Sequence, residues 1–334
     1  MLSVIISAIA SFVLALTHDF PVFVLGNLLM GLGTGLYWPP NEAMVADLTT
    51  PVQRNEAFAL TRLCDSLGLG IGVVLGGLLV GATGAYRSLF VIDGISFLLL
   101  LAILFWVIAE SGSPRASDRP FDGWATALRD RRLLTYSVAN ILFTTYMVQL
   151  VSTLPLYLTN FVPLESGKGF SPQVISALFA WHLGATVLIQ LPTVRLLNRF
   201  THPQGMMISG LLWVVGFGLI GWTGVSPGWH LLWAILAMAV TALATAAYMP
   251  SAASTTVQLA PDELRGVYLA VNSQCWAIGY LLGPPIGGWA LDQAAPIAHG
   301  FWLGMASTVV VALLILKRVD RMVTYSEESS YRSE

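Results

Sequence analysis

Ionisable side chains are scarce in this chain, and several of the few present fall inside long apolar stretches. Asp65 lies in LTRLCDSLG, His182 in FAWHLGA and Glu42 in PPNEAMVAD. An acid or imidazole held away from bulk water can take up and release protons, so proton carriage is the chemistry such placement suits. Burying one at mid-bilayer costs about 2.5–3.5 kcal/mol on insertion scales, so the group faces other helices or water rather than lipid. Asp65 is the preferred proton carrier; the structural alternative is a partner for Arg62, three residues earlier. For His182 the alternative is a neutral ring bonded to a neighbouring helix. Asp93, beside Gly94, suits helix packing better than transport. Glu42 and Asp47 also end one apolar stretch at its inner side and, with Arg54 and Arg265, are candidates for a gate of paired charges, against the plainer reading of a solvated inner rim.

Tyr146, Gln149, Trp181, Gln274 and Trp276 are candidate cavity residues. Aromatic faces with a few amides suit bulky amphipathic ligands, although an aromatic in an apolar helix more often packs against its neighbours. Other chemistry lacks its motifs. There is no G-x-x-x-x-G-K, no H-E-x-x-H and no G-x-S-x-G, so neither a nucleotide-driven machine nor a hydrolase is expected. Two cysteines, Cys64 and Cys275, make neither a disulfide framework nor a metal site and read as small buried apolar groups. A formal charge of −2 gives no nucleic-acid signal. No cofactor and no metal is expected, and the protein is not expected to be an enzyme.

The elements that position these residues must be membrane helices. Apolar residues make up 56% of 334 and charged ones 10%, against roughly 25% charge in a soluble domain, and mean hydropathy is +0.73. Lipid cannot satisfy loose backbone groups, which forces helices. Stretches of spanning length, about 20 residues each, fall at 2–17, 22–46, 57–82, 87–108, 134–160, 172–192, 204–223, 229–257, 264–291 and 297–317. The expectation is an all-α integral membrane bundle of about ten helices. A partial N-terminal bundle occupies 1–108, a polar linker with a short amphipathic piece 109–133, a six-helix bundle 134–317 and a polar, disordered tail 318–334. No Lys or Arg precedes the first apolar stretch, so a cleavable signal is not indicated. With both termini in the cytoplasm, fourteen of the 16 Lys and Arg residues lie on the inner side and only Arg87 and Lys168 outside. This places the chain, multi-pass, in the cell membrane with the bilayer around it; a monomer is expected.

Sliding the chain against itself by 211 positions exposes a duplication. Leu32, Thr34, Tyr37, Pro39, Leu48, Arg54, Ala59, Cys64, Gly68, Gly72, Gly76 and Gly77 meet identical residues, from Leu243 through Arg265 and Cys275 to Gly288. Twelve identities in 46 positions exceed the chance value of about three. Parallel repeats related by an axis along the membrane normal are a transporter architecture. In this register the second half starts six helices long, and the first would begin about 77 residues before Met1. The expectation is therefore ten helices of twelve. The glycines recur at i, i+4 and i+8, one bare stripe per helix, which allows close backbone approach.

These residues carry a family resemblance. The 6+6 duplication, the central linker and the glycine signature resemble the major facilitator superfamily. The C-terminal copy, Gly279-x3-Gly283-Pro284-x2-Gly287-Gly288, matches the family's antiporter pattern G-x3-G-P-x2-G-G in full; the N-terminal copy, Gly68-x3-Gly72-Val73-x2-Gly76-Gly77, has Val in place of Pro. PPNEAMVADLTTPVQRNEAFALTRLCDSLG and RDRRLLTYSVANILF look most like the MdtH-like multidrug exporters of the drug:proton antiporter branch. Two departures stand out. Asn27-Leu28-Leu29-Met30-Gly31 replaces the branch's R-x-x-x-G, and Asn198-Arg199 is all that remains of a D-R loop pair. The resemblance implies a secondary transporter that exports small amphipathic compounds in exchange for protons by alternating access, with the glycine helices as pliable contacts between the halves. The alternatives are an exporter of one specific metabolite, or a membrane partner protein that does not transport.

Overall fold

Helices account for every regular element among residues 1–50, 53–83, 86–107, 120–164 and 169–331, which are the residues described by a computed structural model. In order they are α1 (Leu2–Leu16), α2 (Phe20–Asp47), α3 (Arg54–Thr83), α4 (Tyr86–Val107), α5 (Pro120–Arg129), α6 (Arg131–Asn160), α7 (Pro172–Leu197), α8 (His202–Val225), α9 (His230–Leu259), α10 (Arg265–Leu291) and α11 (Ala295–Tyr331). A single 3₁₀ turn, Asp262–Leu264, leads into α10. All ten expected spans are thus helices. Seven of these, α2, α4, α6, α7, α8, α9 and α11, are long and apolar enough to cross a membrane. At 15 residues α1 reaches only about 22 Å against a hydrocarbon core of about 30 Å.

Local chemistry sets several starts. Asp130 caps α6 by accepting from the Arg132 N–H at 2.8 Å, which begins the helix at 131 rather than 134. Ser171 caps α7 with Pro172 next, and Thr201 with Gln204 forms a reciprocal capping box on α8 ahead of Pro203. The polar tail expected after 317 does not leave the helix there. Val319 and Val323 stay buried, and Asp320 accepts from Thr201 Oγ1 at 2.5 Å and Gln204 Nε2 at 3.1 Å, so packing carries α11 onward. Arg115, Arg119, Lys168 and Arg332, used in the orientation argument, lie outside the described residues, as does the 109–119 part of the linker.

Displaced by 211, the bounds of α2 and α3 fall within three residues of those of α9 and α10, and α4 begins within two residues of α11, as the duplication requires; α8 starts earlier than α1 and α11 runs on beyond α4. In the first half α1 sits between α2 and α4. Ser7 and Leu14 pack where α2 has Gly33 and Gly26, and Ser11 donates to Asp93 at 2.6 Å across to α4. Asp93 therefore holds helices together, the packing role expected of it. In the second half α6 packs against α10 and α11, α8 against α9 and α11, and α7 against α9. The core there is aromatic: Phe143, Tyr146, Trp213, Phe217 and Trp302 are all fully buried and contact one another edge-on or tilted.

A buried hydrogen-bond network locks α6, α9 and α10 together. Asn272 Oδ1 accepts from Asn140 at 2.8 Å, Thr256 at 3.1 Å and Tyr136 at 3.3 Å, while Tyr248 donates to Asn140 at 2.7 Å. Asn272→Leu strands the Asn140 amide away from water. A loss of about 1–3 kcal/mol is expected, read as a lower melting temperature in detergent; an unchanged melting temperature would show the network contributes little.

Candidate functional site

Three charged side chains meet between α2 and α3. Glu42 and Trp38 are four apart on α2, and Arg62 and Asp65 three apart on α3, so each pair shares a helix face. Arg62 forms an ion pair with Glu42 through Nη2 and reaches Asp65 through Nη1 at 3.3 Å. Its guanidinium also lies 5.0 Å from the centre of the Trp38 ring. The two acids differ in exposure. Glu42 is buried, and its Oε2 has no hydrogen-bond partner, while the Asp65 side chain is 40% exposed. One guanidinium thus serves two carboxylates, one enclosed and one open. Asp65 is about 17 Å along α3 from its start at Arg54.

Sequence reasoning placed Asp65 with Arg62 but set Glu42 at an inner rim. The structure instead buries Glu42 against Arg62, twenty positions away, because the α2–α3 turn lays the two helices side by side. The i+4 pairing of Trp38 with Glu42 was a signal in the sequence for a shared face; the partner across the turn was not legible.

At the end of the bundle carrying that turn, α5 and the start of α10, the two halves touch. We call this the linker end. Arg265 of α10 donates to Asp47 of α2 at 2.9 Å, and to Asp262 at 2.5 Å. Asn55 of α3 donates to Asn198 at 3.0 Å and accepts from Ser254 at 3.3 Å. Ala46 and Phe58 from the first half form an apolar cluster with Ala253, Val257 and Leu269 from the second. Asp47 and Arg265, named from sequence, come together across the halves. Arg54 does not join them: its Nη2 lies 3.4 Å from the Ala46 carbonyl at the end of α2, where a cation answers the unsatisfied carbonyls of a helix terminus. The Asn55 contacts were missed, although the sequence had marked Asn198.

The remaining candidates disperse. His182, part-buried, hydrogen-bonds through Nδ1 to the Met238 carbonyl of α9 at 3.1 Å and to Thr241 at 3.3 Å, which is the helix-to-helix alternative. Trp181 is 45% exposed and donates to the Ile235 carbonyl at 3.1 Å. Tyr146 and Gln149 face no open space. Tyr146 is sealed in the aromatic core, bonded to Thr308 at 2.8 Å, and Gln149 binds the Gly283 carbonyl at 2.9 Å in the α6–α10 seam. Long polar side chains on α6 are drawn there because the α10 glycines expose backbone carbonyls. Gln274 is exposed and Trp276 partly buried. Cys275 is buried, but Cys64 is exposed on α3, contrary to expectation.

The α10 glycine stripe takes the close-packing role that its spacing suggests, but not against the other half, as the resemblance implied. Gly279, Gly283 and Gly287 on α10 pack within their own half, against Thr144, Val148 and Thr153 of α6. Pro284 lies inside α10 beside this seam, and Gly288 faces open space. On α3, Gly68 and Gly72 have no side chain within reach, and Gly76 approaches Leu89 of α4. Gly77 lies outside the residues whose surroundings are described. Among the α3 glycines, the contact with the other half comes from a different face, at Gly70 against Leu183 of α7. Two residues turn a helix by about 200°, so Gly70 lies opposite the stripe, and here that opposite face meets the other half. No group of three or more His, Cys, Asp or Glu side chains able to hold a metal occurs among the described residues.

The bundle and duplication match known proteins. The Major Facilitator Superfamily family model matches residues 1–167 and 158–330. The chain is similar to the multidrug resistance protein MdtH of Cronobacter sakazakii, at 24% identity over 279 residues covering 84% of this chain and 66% of that protein. MdtH of Escherichia coli is 23% identical over the same extents. The chain therefore spans about two-thirds of the length of the curated relatives it matches. Among solved structures, the human organic anion transporter MFSD10 (TETRAN) superposes with a TM-score of 0.73 at 21% identity, over 94% of this chain and 75% of that one. FucP in its outward conformation gives 0.76 at 16%, over 95% and 81%. With a family model spanning both halves and the same helical arrangement, the chain belongs to the major facilitator superfamily.

Proposed function

We propose that the protein is a secondary active transporter exporting small amphipathic compounds in exchange for protons. The observation that carries this reading is the sharing of Arg62 by a buried Glu42 and a 40%-exposed Asp65. With both acids ionised the cluster carries one net negative charge; a proton taken up at the open Asp65 leaves a neutral Arg62–Glu42 pair. A group whose charge changes while its neighbours stay fixed is the element a proton gradient needs. The MdtH relatives support the substrate class by their printed name, multidrug resistance protein.

In this reading the linker end faces the cytoplasm, and the Asp47–Arg265 pair, the Asn55–Asn198 bond and the apolar cluster around Phe58 form its closed gate. Transport proceeds by rocking of the halves. One proton entering across 100 mV supplies about 2.3 kcal/mol, enough for roughly a 50-fold gradient.

The test is dye transport by the purified chain in vesicles with an imposed proton gradient. Gradient-driven transport is expected from the unaltered protein. Asp65→Asn should abolish it while leaving gradient-independent substrate exchange. Full gradient-driven transport by Asp65→Asn would remove Asp65 as carrier, and no transport by the unaltered chain would overturn the reading.

A further inference from the structure

We propose that Asp47 changes partner as the gate works, held by Arg265 of the second half when the linker end is closed and by Arg54 of its own half when the halves part. The proposal rests on the reading of the linker end as a gate.

The duplication sets up the competition. Arg54 and Arg265 are equivalent in the 211-residue register, and each opens its helix, α3 and α10. Arg265 has two acids: Asp47 across the halves at 2.9 Å, and Asp262, three residues before it, at 2.5 Å. Arg54 has the equivalent of neither. Pro51 stands where Asp262 has its counterpart, and the neutral Gln258 where Asp47 has its own. The register therefore leaves one acid with two arginines to claim it.

Closure leaves Arg54 short of partners. It is 9% exposed, its hydrogen bond to the Ala46 carbonyl is long at 3.4 Å, and its Nε is buried without a partner. An enclosed guanidinium without a counter-charge is costly. Burial, and after it the like charge of Arg265, pull its proton affinity below the usual arginine value, while Asp262 and Asp47 oppose them. Asp47 follows Ala46 directly, so Arg54 already sits beside the backbone that carries the acid. The Asp47 side chain is 42% exposed and can turn.

Opening supplies the missing step. Arg265 departs with the second half and takes Asp262 along, since both belong to the same turn. Asp47 and Arg54 stay together at the α2–α3 corner, and a side-chain rotation joins them. Glu56 does not compete, because residues two apart on a helix point to different sides. One ion pair then replaces another, which keeps the closed and open states close in free energy, as a carrier that visits both requires.

The experiment follows N-ethylmaleimide labelling of Ala253→Cys in the purified full chain, in a Cys64→Ser background. Ala253 is 2% exposed within the apolar cluster between the halves, so the reagent reaches it when the linker end opens. The Cys64→Ser parent, whose Cys275 is buried, gives the background rate. Arg54→Gln should slow labelling about fivefold, since the open state loses its pair; fivefold is about 1 kcal/mol. Asp47→Asn should stay within about twofold of the unaltered rate, because it removes a pair from both states. If Arg54 only supports the closed corner, its loss speeds labelling, so a faster or unchanged rate in Arg54→Gln would overturn the exchange. So would a fivefold faster rate in Asp47→Asn, which would mark an acid that serves the closed gate alone. If Arg54→Gln fails to fold, Asp47→Asn decides. Asn55→Ala removes a bond made across the closed halves and should speed labelling about fivefold. An unchanged rate in Asn55→Ala would overturn the gate reading, and the exchange with it. No gradient or substrate enters the measurement, so proton coupling is tested separately.

Discussion

Arg62→Met is expected to destabilise the protein by about 3–5 kcal/mol, the cost of leaving a buried charge uncompensated. Glu42 is 5% exposed, and one of its carboxylate oxygens already lacks a partner. Without Arg62 that carboxylate must either stay charged in an apolar seam or take up a proton. Asp65 is 40% exposed and can turn to water, so it adds little to the loss. The measurement is a melting curve in detergent for Arg62→Met, Glu42→Leu and the two combined. The double variant should recover most of the stability, because replacing both members of a buried pair with apolar groups removes the desolvation penalty along with the attraction. A double variant as unstable as Arg62→Met would show that Arg62 supports the fold through Trp38, not through Glu42.

Gly279→Val should also destabilise the protein, and Gly68→Val should not. A side chain at 279 would meet the Thr144 hydroxyl at 2.6 Å and its backbone carbon at 2.9 Å. Thr144 Oγ1 already donates to the Cys275 carbonyl at 2.8 Å, so α6 cannot yield without losing that bond. Overpacking a seam of this kind costs about 1–3 kcal/mol, and more where backbone must move. At Gly68, the equivalent position on α3, nothing lies within 4 Å, and the change should stay within about 0.5 kcal/mol. Level of folded protein in the membrane and melting temperature read both variants. Equal damage at the two positions would mean that the α3 stripe is packed as the α10 stripe is.

The contrast shows where a repeat stops being informative. Gly68 and Gly279 are identical in the aligned halves; the spacing gave both one role, close helix packing, and the family resemblance made that packing a contact between halves. Spacing fixes which residues share a helix face. It does not say which neighbour that face meets, and α10 turns its stripe to α6 while α3 meets α7 through Gly70. The charged residues divide in the same way. Asp65 and Arg62 were paired correctly because they are three apart on one helix. Glu42 was misplaced because its partner lies across a turn, and Arg54 because a nearby carbonyl competes with Asp47 for its guanidinium.

Composition, hydropathy and the 211-residue register determined by themselves that this chain is an all-α membrane bundle built on a duplication, and the glycine signature pointed to the superfamily that the comparisons show. These are properties of period and content, set by a solvent that accepts helices and by spacing along one helix. Only the tertiary structure decided that Glu42 and Asp65 share one arginine, that Asp47 meets Arg265 from the other half, and that Tyr146 and Gln149 seal seams in the second half. Each of those depends on the rotation and crossing of two helices distant in sequence, and burial then selects among partners that the sequence leaves equivalent.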